Sequence, residues 1–323
     1  MEIPARKRLM LFSGSANPEF AAEIADLMDI KQGGLERSVF ASGEIYVRPT
    51  ESVRGADCFV IQSHSRPVNF HIMEQLLTID SLRRASAKRI TAVMPFFGYS
   101  RQDKKGLPRE AISARVMIDM FAAAGVDRFV SIDLHSGQIQ GFTSKPFDHL
   151  TALPIFVDYL EKTLDGPTTI VSPDAGGVKR AERYARHLNS YVGFVHKRRE
   201  ADRRNVAEAL AMIGKVRGRH AIIVDDMVDT AGTATSSANL LIEQGALSVR
   251  LVATHGVLSP PAMDRLRDSD IREVVIANTL PVPEFANGFS KLKVLSVAPL
   301  FAQALRAIFS DESVSEIFLG ENL

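Results

Sequence analysis

Ala221-Ile222-Ile223-Val224-Asp225-Asp226-Met227-Val228-Asp229-Thr230-Ala231-Gly232-Thr233 is the stretch on which the fold turns. Its opening run of four apolar residues suits a strand buried on both faces. Two carboxylates end that strand, and a short polar loop then opens a helix predicted over 234–244. A strand feeding a helix in this way is one step of an α/β fold. Successive backbone N–H groups in such a loop form a cradle for phosphate at the helix N-terminus, with Gly232 permitting close approach and Thr233 adding a hydroxyl. Asp225 and Asp226, one strand-end away, are placed to accept hydrogen bonds from sugar hydroxyls. An acidic turn with a threonine cap is the plainer account. Three acids within five residues, directly before Thr230-Ala231-Gly232-Thr233, ask for more than a cap.

The same pattern repeats outward in both directions. Leu9-Met10-Leu11-Phe12, Cys58-Phe59-Val60-Ile61, Ile90-Thr91-Ala92-Val93-Met94 and Arg128-Phe129-Val130-Ser131-Ile132 read as strands ahead of the middle of the chain. Thr169-Ile170-Val171, Val249-Arg250-Leu251-Val252-Ala253 and Val274-Val275-Ile276 do so after it. Amphipathic stretches lie between them, such as 70–85 with Ile72, Leu76, Ile79 and Leu82 at helical spacing. Strand and helix alternating throughout predict an α/β fold of mostly parallel sheets flanked by helices. At 323 residues the chain is long enough for about two domains of ~150 residues. The break is expected near 147–151, giving domains of 1–150 and 151–304, with the C-terminal helix, 305–323, packing back on the first.

Composition narrows the class. Hydrophobic residues at 46% and charged residues at 24% exclude a disordered tail or coiled coil. A net charge of +1 provides no global field for nucleic acid or an anionic membrane, so any anion site is local. The lone cysteine, Cys58, cannot form an internal disulfide and points to a reducing, cytoplasmic setting. No window approaches the ~18 apolar residues of a membrane span.

Further motifs carry chemistry. Phe40-Ala41-Ser42-Gly43-Glu44, Tyr99-Ser100-Arg101-Gln102-Asp103-Lys104-Lys105 and Asp133-Leu134-His135 lie in the first half. Ser172-Pro173-Asp174-Ala175-Gly176-Gly177, His196-Lys197-Arg198-Arg199 and Thr254-His255-Gly256 lie in the second. Residues 192–196 read as a strand running into the basic segment, and 99–110, charged and without apolar periodicity, read as a long mobile loop. Asp174 stands in a second strand-to-helix turn that lets phosphate approach, whereas a lone His after a strand is more often structural.

Together these motifs resemble the ribose-phosphate pyrophosphokinase family over nearly the whole chain. The resemblance implies two phosphoribosyltransferase-type domains with the active site in the cleft between them. It implies transfer of the β,γ-diphosphoryl group of ATP to the 1-hydroxyl of ribose 5-phosphate, for nucleotide biosynthesis. It gives ribose 5-phosphate to Asp225, Asp226, Asp229, Thr230, Ala231, Gly232, Thr233 and Arg199. It gives ATP to Phe40, Ser42, Gly43, Glu44, Arg101 and Gln102, with Lys197, Arg199 and Arg101 stabilising transition-state charge. It assigns Mg2+ to His135 and Asp174, and implies a homohexamer whose ATP site is shared between subunits. Ser42 departs from the family's usual Asp, while Gly137 and His149 depart at positions near the family's effector site. The alternatives are a non-catalytic regulatory homologue and a phosphoribosyltransferase that consumes the activated sugar. The intact Lys197, Arg199, His135 and Asp174 weigh against the first, and the Arg101-Gln102 and 40–44 segments against the second.

Overall fold

The computed structural model describes residues 7–198 and 209–318. In chain order the elements begin with β1 (Leu9–Ser13), α1 (Pro18–Met28), β2 (Leu35–Val39), β3 (Ile45–Pro49), β4 (Asp57–Ile61), α2 (Val68–Arg84) and β5 (Arg89–Met94). They continue with α3 (Ser113–Ala124), β6 (Arg128–Ile132), β7 (Phe147–Leu150), α4 (Leu153–Thr163), β8 (Thr168–Ser172), α5 (Val178–His187) and β9 (Tyr191–Arg198). The last are β10 (Ala209–Ile213), β11 (His220–Val228), α6 (Gly232–Glu243), β12 (Ser248–Gly256), α7 (Ala262–Arg267), β13 (Ile271–Ala277), β14 (Leu292–Leu295) and α8 (Ala298–Ser310). The architecture is α/β, with mostly parallel sheets flanked by helices in two compact units.

The first unit takes the residues up to Thr151, Thr279–Pro281 and those from Val297 on. Its sheet has the order β1-β4-β5-β6-β7 with every pairing parallel. All five residues of β4 are buried, as a strand covered on both faces requires. The one charge among them, Asp57, sits in register with Arg89 on β5 and pairs with its guanidinium. On α2, Ile72, Leu76, Ile79 and Leu82 form the apolar stripe and enter the core beside Phe12, Phe97 and Phe121. The stretch 147–151, read from sequence as a break, contains edge strand β7. The chain re-enters this unit at Val297, earlier than 305. There α8 packs on α1 with Phe301 edge-on to Phe20, ring centroids 5.4 Å apart. Asp311, just past α8, bonds Lys7 at 2.6 Å and Arg89 at 2.8 Å. Residues 319–323 of the expected terminal helix lie outside the described residues.

The second unit holds Ala152–Asn278 and Val282–Ser296. Its sheet runs β10-β9-β8-β11-β12-β13-β14, parallel except where β10 meets β9. The core packs around β11 and β12, with Ala238 and Leu241 of α6 laid against them. Among the described residues no helix is long and apolar enough to cross a membrane.

Candidate active site

The opening stretch forms a strand, a tight turn and a helix, with two departures from its reading. β11 does not end at the two carboxylates: it runs on to Val228, with Asp225 opposite Ala253 and Met227 opposite His255 of β12. Asp225 and Asp226 are therefore strand residues inside the sheet, and their side chains cannot both escape to water. Helix α6 begins at Gly232, so Thr233 belongs to its first turn instead of the loop ahead of it. The turn is made by Asp229, Thr230 and Ala231. Ala231 adopts a left-handed φ of 60°, a conformation that costs an L-residue about 1–2 kcal/mol. It is nonetheless buried, and its carbonyl accepts from the Thr235 N–H at 3.0 Å. No side chain among the described residues caps α6, which starts between the exposed Thr230 and Thr233. Arg265 on α7 donates to the Thr230 carbonyl at 2.9 Å and braces the turn from outside.

The two acids of β11 share a cation that the sequence reading missed. Arg180, in the first turn of α5, bonds Asp225 at 3.0 Å and Asp226 at 3.4 Å. Burial, and then the Asp226 carboxylate beside it, push Asp225 up to about 8, while Arg180 works in the opposite direction. Burial and the neighbouring carboxylate thus both favour the protonated form of Asp225. A signal was present: Lys179 and Arg180 put two cations in a first helical turn, where the dipole favours anions. The turn ahead of α5 is ordered by Asp174, whose Oδ1 accepts from the Gly177 N–H at 3.0 Å and whose carbonyl accepts from the Ser172 hydroxyl at 2.7 Å. Asp174 itself is exposed. Gly177 is required here, because a Cβ would lie 2.5 Å from the Ser172 hydroxyl oxygen. Lys197 stands on β9, in register with Leu210 of the antiparallel β10. Arg199 lies outside the described residues.

In the first unit, β2 and β3 form a hairpin whose turn carries residues 40–44. Phe40 N–H donates to the Glu44 carbonyl and Gly43 N–H to that of Phe40, both at 2.8 Å, with Gly43 at a φ of 90°. Phe40 is 55% exposed, and its ring meets Tyr46 edge-on. The Ser42 hydroxyl donates to Glu44 at 2.7 Å. Residues 95–112 form no helix or strand. Within them Gln102 is tied down: its N–H donates to Tyr99, its carbonyl accepts from the Ala114 N–H and its side-chain oxygen accepts from the Ser113 hydroxyl. Arg101 is exposed. His135 is exposed after β6, and the loop that presents it is held by Leu134 N–H donating to His149 Nε2 at 2.9 Å and by Thr151 donating to Asp133 at 2.9 Å. Among the described residues no group of three or more His, Cys, Asp or Glu side chains is placed to hold a metal ion.

An acid pair near the end of a strand, followed by a helix whose N-terminus no side chain caps among the described residues, marks the second unit of this α/β protein. Comparison with known proteins is more specific. Residues 9–125 match the N-terminal domain of ribose phosphate pyrophosphokinase, and 203–319 match the phosphoribosyl synthetase-associated domain. A ribose-phosphate pyrophosphokinase of Streptomyces avermitilis is 49% identical over 313 residues, covering 97% of this chain and 96% of that protein. One from Bifidobacterium longum is 49% identical over 316 residues, covering 97% and 93%. The crystal structure of phosphoribosylpyrophosphate synthetase from Mycobacterium smegmatis superposes with a TM-score of 0.90 at 47% identity, covering 94% of this chain and all of that one. The chain belongs to the ribose-phosphate pyrophosphokinase family and is an enzyme of that kind, a kinase of nucleotide precursor synthesis.

Proposed function

We propose that the enzyme transfers the β,γ-diphosphoryl group of ATP to the 1-hydroxyl of ribose 5-phosphate, releasing AMP. The observation that carries the ribose end is the Asp225–Asp226 pair, held by Arg180 and set directly before the strained turn and open N-terminus of α6. Its 5-phosphate rests on the N–H groups and hydroxyls of Thr230, Ala231, Gly232 and Thr233, where backbone donors and the helix dipole favour an anion. Asp225, Asp226 and Asp229 accept from the ring hydroxyls. The solvent-facing Phe40 stacks the adenine, Ser42, Gly43 and Glu44 bond its edge and ribose, and Arg101 and Gln102 close on the nucleotide. The hairpin serves the site of a neighbouring subunit in a homo-oligomer, a hexamer on the family's plan.

The 1-hydroxyl oxygen bonds to the β-phosphorus as the bond from that phosphorus to the α-phosphate oxygen breaks, and the hydroxyl proton is released. Such a transfer needs placement and charge stabilisation in place of a protein nucleophile. Lys197, Arg199 and Arg101 supply the positive charge. Asp174 and His135 would hold Mg2+, which, when bound, neutralises the ATP phosphates. The exposed Asp174 carboxylate and the exposed His135 imidazole suit a cation that keeps its waters and takes phosphate oxygens. Closure of the 99–110 loop excludes water, the competing acceptor. The reaction belongs to the cytoplasm. Its test is AMP release from ATP with and without ribose 5-phosphate: release must depend on the sugar, and equal release without it overturns the reading.

A further inference from the structure

Two neighbouring residues of α2, Glu74 and Gln75, are each only 1% exposed, and neither lies in a segment so far given a role. The Gln75 amide donates to the Val60 carbonyl of β4 at 3.0 Å, which fixes its orientation and turns Oε1 toward His64 Nε2, 2.9 Å away. On the other side of that ring, Gly98 N–H donates to Nδ1 at 3.0 Å. Because Nδ1 accepts, the ring proton is on Nε2 and is donated to Gln75. The tautomer follows from the backbone. His64 is fully buried and lies flat against Phe121, with centroids 5.8 Å apart, and burial pushes it down to about 4, so it stays neutral. Gly98 directly precedes the 99–110 loop that carries Arg101 and Gln102. Its successor Tyr99 takes a left-handed φ of 63° and bonds Asn69 of the same helix through its hydroxyl at 2.7 Å.

Glu74 grips the other nucleotide segment. It accepts from Arg37 of β2 at 3.1 Å, from the Ser15 hydroxyl at 2.6 Å and from Gln62 at 2.5 Å. Arg37 also donates to the Ser13 carbonyl at 2.9 Å, so the strand leading to Phe40 is pinned to β1 and α2 through one guanidinium.

We propose that α2 is a positioning platform for ATP recognition: Gln75, acting through His64 and Gly98, sets the start of the Arg101–Gln102 loop, and Glu74, acting through Arg37, sets the hairpin that carries Phe40. The proposal rests on the reading that those two segments bind ATP. His64, Gln75, Glu74 and Arg37 are positioning residues here, and none is assigned contact with substrate.

The test compares His64→Phe, His64→Asn, His64→Gln, Arg37→Met and Arg101→Ala by separate titrations of ATP and ribose 5-phosphate. Phenylalanine keeps the ring stack and deletes the acceptor for Gly98. Asparagine places an oxygen near the position of Nδ1, whereas glutamine reaches only the Nε2 position. Losing one buried hydrogen bond corresponds to roughly a tenfold change. The KM for ATP is expected to rise about tenfold in His64→Phe, His64→Gln and Arg37→Met, to recover in His64→Asn, and the KM for ribose 5-phosphate to stay within twofold. Amide hydrogen exchange over 98–102 is expected to quicken in His64→Phe and not in Arg37→Met. If His64→Phe does not fold, the asparagine–glutamine contrast and Arg37→Met decide. An unchanged KM for ATP in the folded His64 and Arg37 variants, or an equal rise for both substrates, overturns the platform. Should Arg101→Ala raise the KM for ATP while those variants do not, the platform alone fails. Should Arg101→Ala leave it unchanged, the loop's role in ATP binding fails and the platform falls with it.

Discussion

Replacing Arg180 with methionine removes the guanidinium that bonds Asp225 at 3.0 Å and Asp226 at 3.4 Å while keeping a side chain of similar reach. Truncating one partner of a buried ion pair costs about 3–5 kcal/mol. Here the loss is smaller at neutral pH, because Asp225, raised to about 8, can keep its proton. What disappears there is about one charge-assisted hydrogen bond, roughly 1.5–3 kcal/mol. For a protein of this size that lowers Tm by about 3–12 °C, at about 2–4 °C per kcal/mol. The pH dependence is the sharper part. A carboxyl raised on folding contributes stability that is fully present below its unfolded value near 4 and lost as pH rises through about 8. Without Arg180 the second ionisation is pushed higher still, each further unit costing about 1.4 kcal/mol above pH 8. The Tm gap between parent and Arg180→Met should therefore widen between pH 6.5 and pH 9.5, measured by thermal denaturation in matched ionic strength. A gap that is constant or narrows toward pH 9.5 would refute the coupling of Arg180 to the acid pair.

Lys197→Ala should cut turnover about 10²–10³-fold with an unchanged circular dichroism spectrum, since one charge-stabilising interaction is lost. Phe40→Ala should raise the KM for ATP by about 5–150-fold, the equivalent of ~1–3 kcal/mol of stacking, with little loss of stability because the ring is already 55% exposed. Ser42→Ala should alter it only a few-fold, because a neutral hydrogen bond is worth about 0.5–1.5 kcal/mol net. Ala231→Gly should raise Tm by a few degrees by relieving the left-handed φ of 60°, and at the same time raise the KM for ribose 5-phosphate as the turn loosens. Calorimetry and a sugar titration on the same preparation check both signs.

The parallel strands were legible because burial on both faces leaves nearly unbroken apolar runs, and Cys58-Phe59-Val60-Ile61 needs no partner in view to be read. The β2–β3 hairpin was not legible: Leu35–Val39 carries Glu36 and Arg37 and is largely exposed, so neither alternation nor a continuous run marks it. Strand β11 was read short because Asp225 and Asp226 look like an ending. Only the register against Ala253 and His255 of β12 shows that pairing continues beneath them. The turn after β11 and the helix that follows it were visible from Asp229 and Gly232, since their chemistry is local. Arg180, Arg265 and the Glu74–Arg37 pair act across 45, 35 and 37 residues of sequence, and no local pattern encodes those meetings.

The most direct test of the central claim is the identity of the products, read by phosphorus NMR after incubation of the full chain with ATP, ribose 5-phosphate and Mg2+. Transfer of the diphosphoryl group predicts AMP together with a new β,γ-derived diphosphate attached at carbon 1 of the sugar phosphate, in equal amounts. ADP with a sugar bisphosphate, or ADP with free phosphate and unchanged sugar, would contradict it.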